Sequence, residues 1–362
     1  MLDQITFYHF IPYIFLVLLC WVCSYYKTRY DLGIKVVLWG LLLFSALRYN
    51  VGWDYGNYTD AIEGRLTDDK VERFEWLSKW LIYFSRYTFT QLFFIVNSVI
   101  VFVCLREIVL KYSVNPALSV FLFFTFSIFY LQSLTIVRNF TAVLMVMYAC
   151  TLFIDKKKLF FLIVVAVSSG IHSSAYIGFL IPLIYWLKGG RKFNIIMLLC
   201  SLLVDTIVQG LVMSFSANPM WGVLSYYLKF ADQYSEGNIY KYLIYVIDAV
   251  FLIYWNRLVR VNKHNLFFLN LMNFGTCIWT IFSFQSIFGF RLSLFFIVWL
   301  IILFPALIYT FDLKYRALVK QTVMISFTIL FFLNLYLLAN SYNNGLIEQA
   351  SFLPYKTIFL KD

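Results

Sequence analysis

Charge is what this sequence most lacks. Only 13% of its 362 residues are Asp, Glu, Lys or Arg, against roughly 25% in a soluble globule. With 62% hydrophobic residues, the chain is not a water-soluble domain. Its net charge of +11 is therefore sorted by membrane side, and a nucleic-acid partner is not expected. Histidine is scarce: His9, His172 and His264 fall in separate segments and make no metal cluster. All six cysteines lie in apolar runs. The Cys20-x-x-Cys23 pair has the spacing of a metal or redox site, but on an apolar helix it reads as two small core residues. There is no Gly-x-x-x-x-Gly-Lys-Ser/Thr loop, so direct nucleotide hydrolysis is not expected, and neither is a metal or other cofactor. The first apolar stretch has no basic leader and no small-residue cleavage site, which marks a retained span rather than a signal peptide.

What is present is a series of apolar runs near the ~20 residues that cross a bilayer. They are continuous and do not alternate, so the fold class is all-α, a polytopic membrane protein rather than a barrel. About twelve transmembrane helices are expected, over residues 6–26, 34–47, 90–110, 117–131, 137–154, 159–169, 175–187, 195–212, 242–258, 265–284, 292–311 and 322–339. Residues 1–362 read as a single transmembrane domain without internal repeat, with external loops at 48–89 and 214–240. Within the first loop, Trp76, Leu77, Trp80, Leu81 and Phe84 recur at helical spacing and predict an interfacial amphipathic helix. The runs flanking Gly170–Ser174 are short, and Pro182 falls within the second; short broken helices in pairs tend to line a cavity.

Alternating spans divide the loops into two sets. One holds Lys27, Arg29 and Lys35, then Arg106 and Lys111, Lys156 to Lys158, Lys188, Arg191 and Lys192, Arg257, Arg260 and Lys263, and Lys314, Arg316 and Lys320. Against these stand only Asp31, Glu107, Asp155 and Asp312. The positive set is expected in the cytoplasm, with both termini outside.

Arg48, Arg138, His172 and Arg291 then fall at external helix ends. Cations there gain nothing from the positive-inside bias, and an ion at such a boundary is a candidate for function. Snorkelling, or pairing with Asp54, Glu75 or another neighbour, is the plainer alternative. The densest cluster is Arg48 to Tyr58, which in eleven residues combines one cation, one carboxylate, two glycines and four aromatics. Guanidinium groups suit the oxygens of an anionic lipid headgroup, above all a pyrophosphate. Aromatic side chains suit the C–H faces of sugars; Trp53, Tyr55 and Tyr58 here, and Trp221, Tyr226 and Tyr227 in the later loop, are the candidates. Asp54 and His172 are candidates to take a proton from an attacking hydroxyl, and His172 could equally donate to phosphate.

Four stretches, in this order, carry a resemblance: Arg48-Tyr-Asn-Val-Gly-Trp-Asp54-Tyr-x-x-Tyr58, Ile136-Val-Arg138-Asn-Phe, Gly170-Ile-His172-Ser-Ser-Ala175 and Phe290-Arg291-Leu. With the ending Pro354-Tyr355-Lys356, they resemble the EpsG family, the Wzy-like polymerases of bacterial capsular, O-antigen and exopolysaccharide repeat units. Asn139 stands where that pattern has Gln. The resemblance implies a GT-C-like integral-membrane glycosyltransferase of the bacterial cytoplasmic membrane, with its active site facing outside. The donor would be a glycan on undecaprenyl diphosphate, attacked by the terminal hydroxyl of a new lipid-linked repeat unit. Arg48, Arg138 and Arg291 would grip the diphosphate, and Asp54 or His172 would orient or deprotonate the acceptor. The implied partners are undecaprenyl-diphosphate-linked oligosaccharides, membrane lipid, a chain-length regulator and a flippase.

Other classes remain open on the residues alone. A transporter or flippase of lipid-linked oligosaccharides would use Asp205 and Asp248, which lie within spans; interhelical hydrogen bonding is their plainer role. A glycan ligase and a non-catalytic scaffold are the remaining alternatives.

Overall fold

The computed structural model describes residues 5–25, 32–67, 71–215, 239–343 and 352–359. Among these, regular structure is helical, apart from an isolated antiparallel bridge between Arg48 and Thr357. In chain order the helices are α1 (Ile11–Tyr25), α2 (Leu32–Ala46), α3 (Tyr55–Ile62), α4 (Trp76–Tyr87), α5 (Gln91–Tyr112) and α6 (Pro116–Thr125). They continue as α7 (Tyr130–Thr135), α8 (Val137–Ile154), α9 (Lys158–Ile171), α10 (Ile181–Leu187), α11 (Arg191–Phe215) and α12 (Ile239–Ile253). The last are α13 (Trp255–Val261), α14 (Asn265–Ile281), α15 (Ser286–Ile297), α16 (Leu300–Ile308) and α17 (Leu313–Asn343). Short 3-10 segments precede α1 and α10.

This is an all-helical polytopic membrane protein. Among the described residues, five helices are long and apolar enough to cross a bilayer, and seven crossings result if the bent pairs α12–α13 and α15–α16 each count as one. The pairs bend by 76° and 52°. Shorter apolar helices, α2, α6, α9 and the Ser173–Leu187 segment, fill much of the remaining apolar sequence. The run at 117–131 is two helices, because Phe126 leaves helical geometry at ψ 101°. Pro182 opens α10 instead of interrupting a span; at the first helical turn its missing N–H has no intrahelical partner to lose. Local chemistry sets other boundaries directly. Asn115 caps α6 by accepting from the Leu118 N–H at 3.2 Å, with Pro116 next to it.

The chain divides into two compact units, Met1–Ala175 with Phe311–Asp362, and Tyr176–Thr310. In the first, α8 is the core helix, packed against α5, α7 and α9; 72% of it is buried. Lipid tails are as apolar as leucine, so burying apolar surface does little to hold such helices together, and polar contacts and close packing do more. Thr141 donates to Asn97 across α8 and α5 at 2.8 Å, a bond worth about 0.6 kcal/mol in such a setting. In the second unit α14 is the hub, contacting α10, α11, α12, α13, α15 and α16. There Asn273 donates to Asp248 at 3.1 Å, and Ser283 donates to Asp205 at 2.9 Å. Asp248 therefore joins α12 to α14, and Asp205 joins α11 to the turn that follows α14.

The expected interfacial helix is α4. Its Trp76, Trp80, Phe84 and Tyr87 point outward, while Ser78, Ile82 and Ser85 are buried. The Trp80 and Phe84 rings stack at 5.4 Å. An outward aromatic stripe on a short helix is what a membrane–water boundary stabilises.

Candidate functional site

The site begins where α2 ends. A helix leaves its last carbonyls without intrahelical donors, and here that end is buried, so water cannot supply them. Arg48 does so instead. Its Nη1 donates to the Ser45 carbonyl, Nε to Val51 at 3.2 Å and Nη2 to Leu134 at 3.2 Å. The side chain is only 1% exposed and lies 4.8 Å over the Phe94 ring. Gln91 donates to the carbonyls of Ala46 and Arg48. The tail supplies the remaining partners: Ile358 N–H donates to Leu47 at 3.0 Å, and Tyr49 N–H to Lys356 at 2.9 Å. Tyr355 stacks on Phe44 at 3.6 Å.

The backbone then turns through Asn50 and Gly52, at φ 50° and 94°. Asparagine and glycine are the residues that enter this left-handed region most readily. Gly52 also lies so close to α7 that a Cβ would sit 2.3 Å from the Leu134 carbonyl oxygen. Arg48 and Gly52 thus hold the same point of the chain, the end of α7. Two residues later Ile136 breaks the helical path at ψ 59°, and α8 starts, carrying Arg138 in its first turn.

Arg138 is the centre of the site. Its Nη1 pairs with the Glu75 carboxylate. Phe74 lies beneath the guanidinium at 4.3 Å and Tyr58 at 5.8 Å. Asp54 is within electrostatic reach of it. The Nε of Arg138 is buried and has no hydrogen-bond partner among the described residues, and the same holds for the neighbouring Asn139 Oδ1. Orphaned buried polar atoms are rare and ask for a ligand, ion or water.

Around Arg138 the Gly170–Ala175 segment closes in. The Ser173 N–H donates to Glu75 Oε1 at 2.8 Å. Asn139 Nδ2 donates to Ser174 Oγ at 2.8 Å, and Ser174 Oγ lies 2.6 Å from His172 Nδ1. Ser174 N–H also donates to that Nδ1, at 3.3 Å. A backbone N–H can only donate, so Nδ1 is an acceptor and the Ser174 hydroxyl gives its own proton to it. The network so assigned places the imidazole proton on Nε2, and His172 presents a donor there. The segment is held against α4 by Ser78 Oγ, which donates to Ile171 at 2.8 Å. Gly170 permits the approach, since a Cβ there would lie 2.7 Å from the Trp76 ring. Burial alone would raise the Glu75 carboxyl, but Arg138, the Ser173 N–H and His172 outweigh it and hold the group below its ordinary value.

Of the residues expected in a site, the structure brings Arg138, His172, Asp54 and Tyr58 into one region of the first unit. It gives others different surroundings. Arg48 is buried among backbone carbonyls, where it braces the chain; a diphosphate grip was expected. Tyr55 and Tyr58 are 4% and 5% exposed, their faces against Phe94 at 4.4 Å and Phe93 at 4.8 Å. Both rings expected to stack on sugar are thus packed inside the protein in this structure. Trp53 is half-buried. Arg291 belongs to the second unit, half-buried in α15. Trp221, Tyr226 and Tyr227 lie outside the described residues. Among the described residues no group of three or more His, Cys, Asp or Glu side chains could hold a metal.

Sequence reasoning gave no role to Gln91, Ser174 or Asn139, and treated Glu75 only as a pairing alternative. Glu75 carried one local signal: it is an acid immediately before an amphipathic helix, at the boundary where Arg138 also falls. The distance of 63 residues between them in the chain hid the pairing.

No curated protein and no solved structure matches this chain. The sequence model of the EpsG family matches residues 32–357. That span takes in the Arg48 turn, Arg138 and Asn139, the His172 segment and the tail residues Tyr355 and Lys356. The chain therefore belongs to the EpsG family, which is associated with exopolysaccharide biosynthesis.

Proposed function

We propose that this protein is a membrane glycosyltransferase that polymerises surface polysaccharide. It joins oligosaccharide repeat units carried on undecaprenyl diphosphate, at the outer face of the bacterial cytoplasmic membrane. In this reading the chain crosses twelve times and is GT-C-like. The long helices and bent pairs cross as such, and the shorter apolar helices complete the set. The donor's diphosphate binds Arg138, with His172 Nε2–H donating to a phosphate oxygen. Arg48 and Gly52 hold the α7–α8 junction that aims Arg138, and Asp54 orients the acceptor sugar.

The observation that carries this reading is the partly buried Arg138, whose Nε is itself buried and has no partner among the described residues. A guanidinium offers its donors in a planar fork that matches phosphate oxygens. A cation fixed where leaving-group charge develops stabilises the transition state without reorganising. Asp205 and Asp248 are engaged in hydrogen bonds to Ser283 and Asn273, so neither acid favours transport over polymerisation.

The test is glycan analysis of a deletion strain complemented with wild type or Arg138→Ala. The variant is expected to leave single repeat units on lipid and to make no long polymer. Normal long polymer at a normal protein level would overturn the assignment.

A further inference from the structure

Glu75 pairs with Arg138 through the kind of group a diphosphate would use, an anionic oxygen against Nη1. A second donor, the Ser173 N–H, holds its other oxygen at 2.8 Å. The carboxylate is thus an internal anion seated in the subsite proposed for substrate. The groups facing it are Arg138 from α8 and His172 and Ser173 from the segment after α9. Its side chain is 18% exposed, so it is at the rim of the site rather than sealed beneath it.

His172 is poorly placed to act as the base. Its Nδ1 already accepts from Ser174, and the tautomer assigned from that network puts the proton on Nε2. A nitrogen that holds a proton cannot take another. Glu75 has the opposite problem, which substrate removes. While Arg138 holds it, its basicity is suppressed by the cation. When a diphosphate takes over the guanidinium, the carboxylate loses its counter-charge while remaining partly desolvated. Both changes favour proton uptake.

We propose that Glu75 is the catalytic base of this site, released from Arg138 when the diphosphate of the donor binds. The inference rests on the polymerase reading above and adds the residue that takes the proton. In the step, the acceptor hydroxyl gives its proton to the Glu75 carboxylate as its oxygen bonds to the donor's anomeric carbon. The bond from that carbon to the bridging phosphate oxygen breaks, and the electron pair leaves on the polyprenyl diphosphate. The proton then passes from Glu75 to water, which restores the carboxylate, and its pairing with Arg138 helps expel the product.

The experiment uses full-length protein in lipid nanodiscs with a short-chain polyprenyl-diphosphate oligosaccharide, and inorganic pyrophosphate as competing anion. Glu75→Gln keeps the shape and the acceptor for Ser173 but removes the charge. It is expected to lower kcat by about a hundredfold or more. Pyrophosphate should inhibit it several-fold more tightly, because the internal competitor is gone. A purely structural pair would not produce these opposite changes. A kcat within about threefold of wild type, given the ~100-fold contribution of a base, overturns the base role. A lower kcat with unchanged pyrophosphate inhibition overturns the displacement. If Glu75→Gln does not accumulate as folded protein, Glu75→Asp decides: the retracted carboxylate should lower kcat by about tenfold within the range of base catalysis, and an unchanged kcat overturns the proposal. Arg138→Ala separates the two levels. If it elongates normally, the polymerase reading at this site fails; if it is inactive while Glu75→Gln is fully active, only the present inference fails.

Discussion

The Cα of Gly52 lies against the carbonyl oxygen of Leu134, so close that a Cβ would be 2.3 Å from it. The same oxygen accepts from Arg48 Nη2 at 3.2 Å. One carbonyl at the end of α7 is therefore held by a residue that must have no side chain and by one whose side chain is fully buried. This contact fixes the break between α7 and α8, and with it the start of the helix that presents Arg138. Residues four apart in the Arg48 turn thus act on a helix more than eighty residues away.

Gly52→Ala tests that contact. The substitution strains a φ of 94° and meets backbone, which cannot move aside as a side chain can. It is expected to cost about 3 kcal/mol or more, seen as a lower thermal unfolding midpoint in detergent. A midpoint equal to wild type would mean that α7 is free to shift.

Arg48→Lys separates bracing from substrate binding. One ammonium cannot reach the carbonyls of Ser45, Val51 and Leu134 together. A buried carbonyl left without a donor costs about 1–3 kcal/mol. Stability should fall, and polymer should fall in step with the amount of folded protein. A normally stable variant with a raised donor KM would return Arg48 to the diphosphate.

The Glu75–Arg138 pair gives a pH dependence with a definite sign. The Glu75 carboxyl is held below its ordinary value in the folded protein. Its contribution to stability is then fully present above the unfolded carboxyl pKa and is lost as pH falls through the lower, folded value. Wild type should exceed Glu75→Gln in unfolding midpoint at neutral pH, with the difference shrinking in acid. A difference that grew on acidification would contradict the pairing.

The tail is the last element of the brace. Tyr355 stacks on Phe44 at 3.6 Å and donates to the Phe44 carbonyl at 2.6 Å. Tyr355→Ala should destabilise the protein by about 2 kcal/mol, roughly half the loss of a fully buried ring. Hydrogen exchange at Leu47 to Val51 should rise with it. Exchange unchanged at those amides would show that the tail rests on the turn without holding it.

The sequence by itself determined the class of molecule. Too little charge for water, and runs near the length of a bilayer, leave helices as the regular structure available. The order of its short motifs was enough to indicate the family, and the amphipathic pattern at Trp76, Trp80 and Phe84 was legible because periodicity is local. The value of each arginine was not. Arg48 and Arg138 look alike in sequence, each an isolated cation at a helix end. Only the tertiary structure separated them, by surrounding one with backbone carbonyls and leaving the other with a carboxylate and an unpartnered Nε. The aromatic residues divided in the same way, since Tyr55 and Tyr58 are buried by Phe94 and Phe93, neighbours that no local pattern names. The reason is that a side chain's pattern and charge are properties of its own segment, whereas its partners are set by whichever distant segments the packing brings beside it.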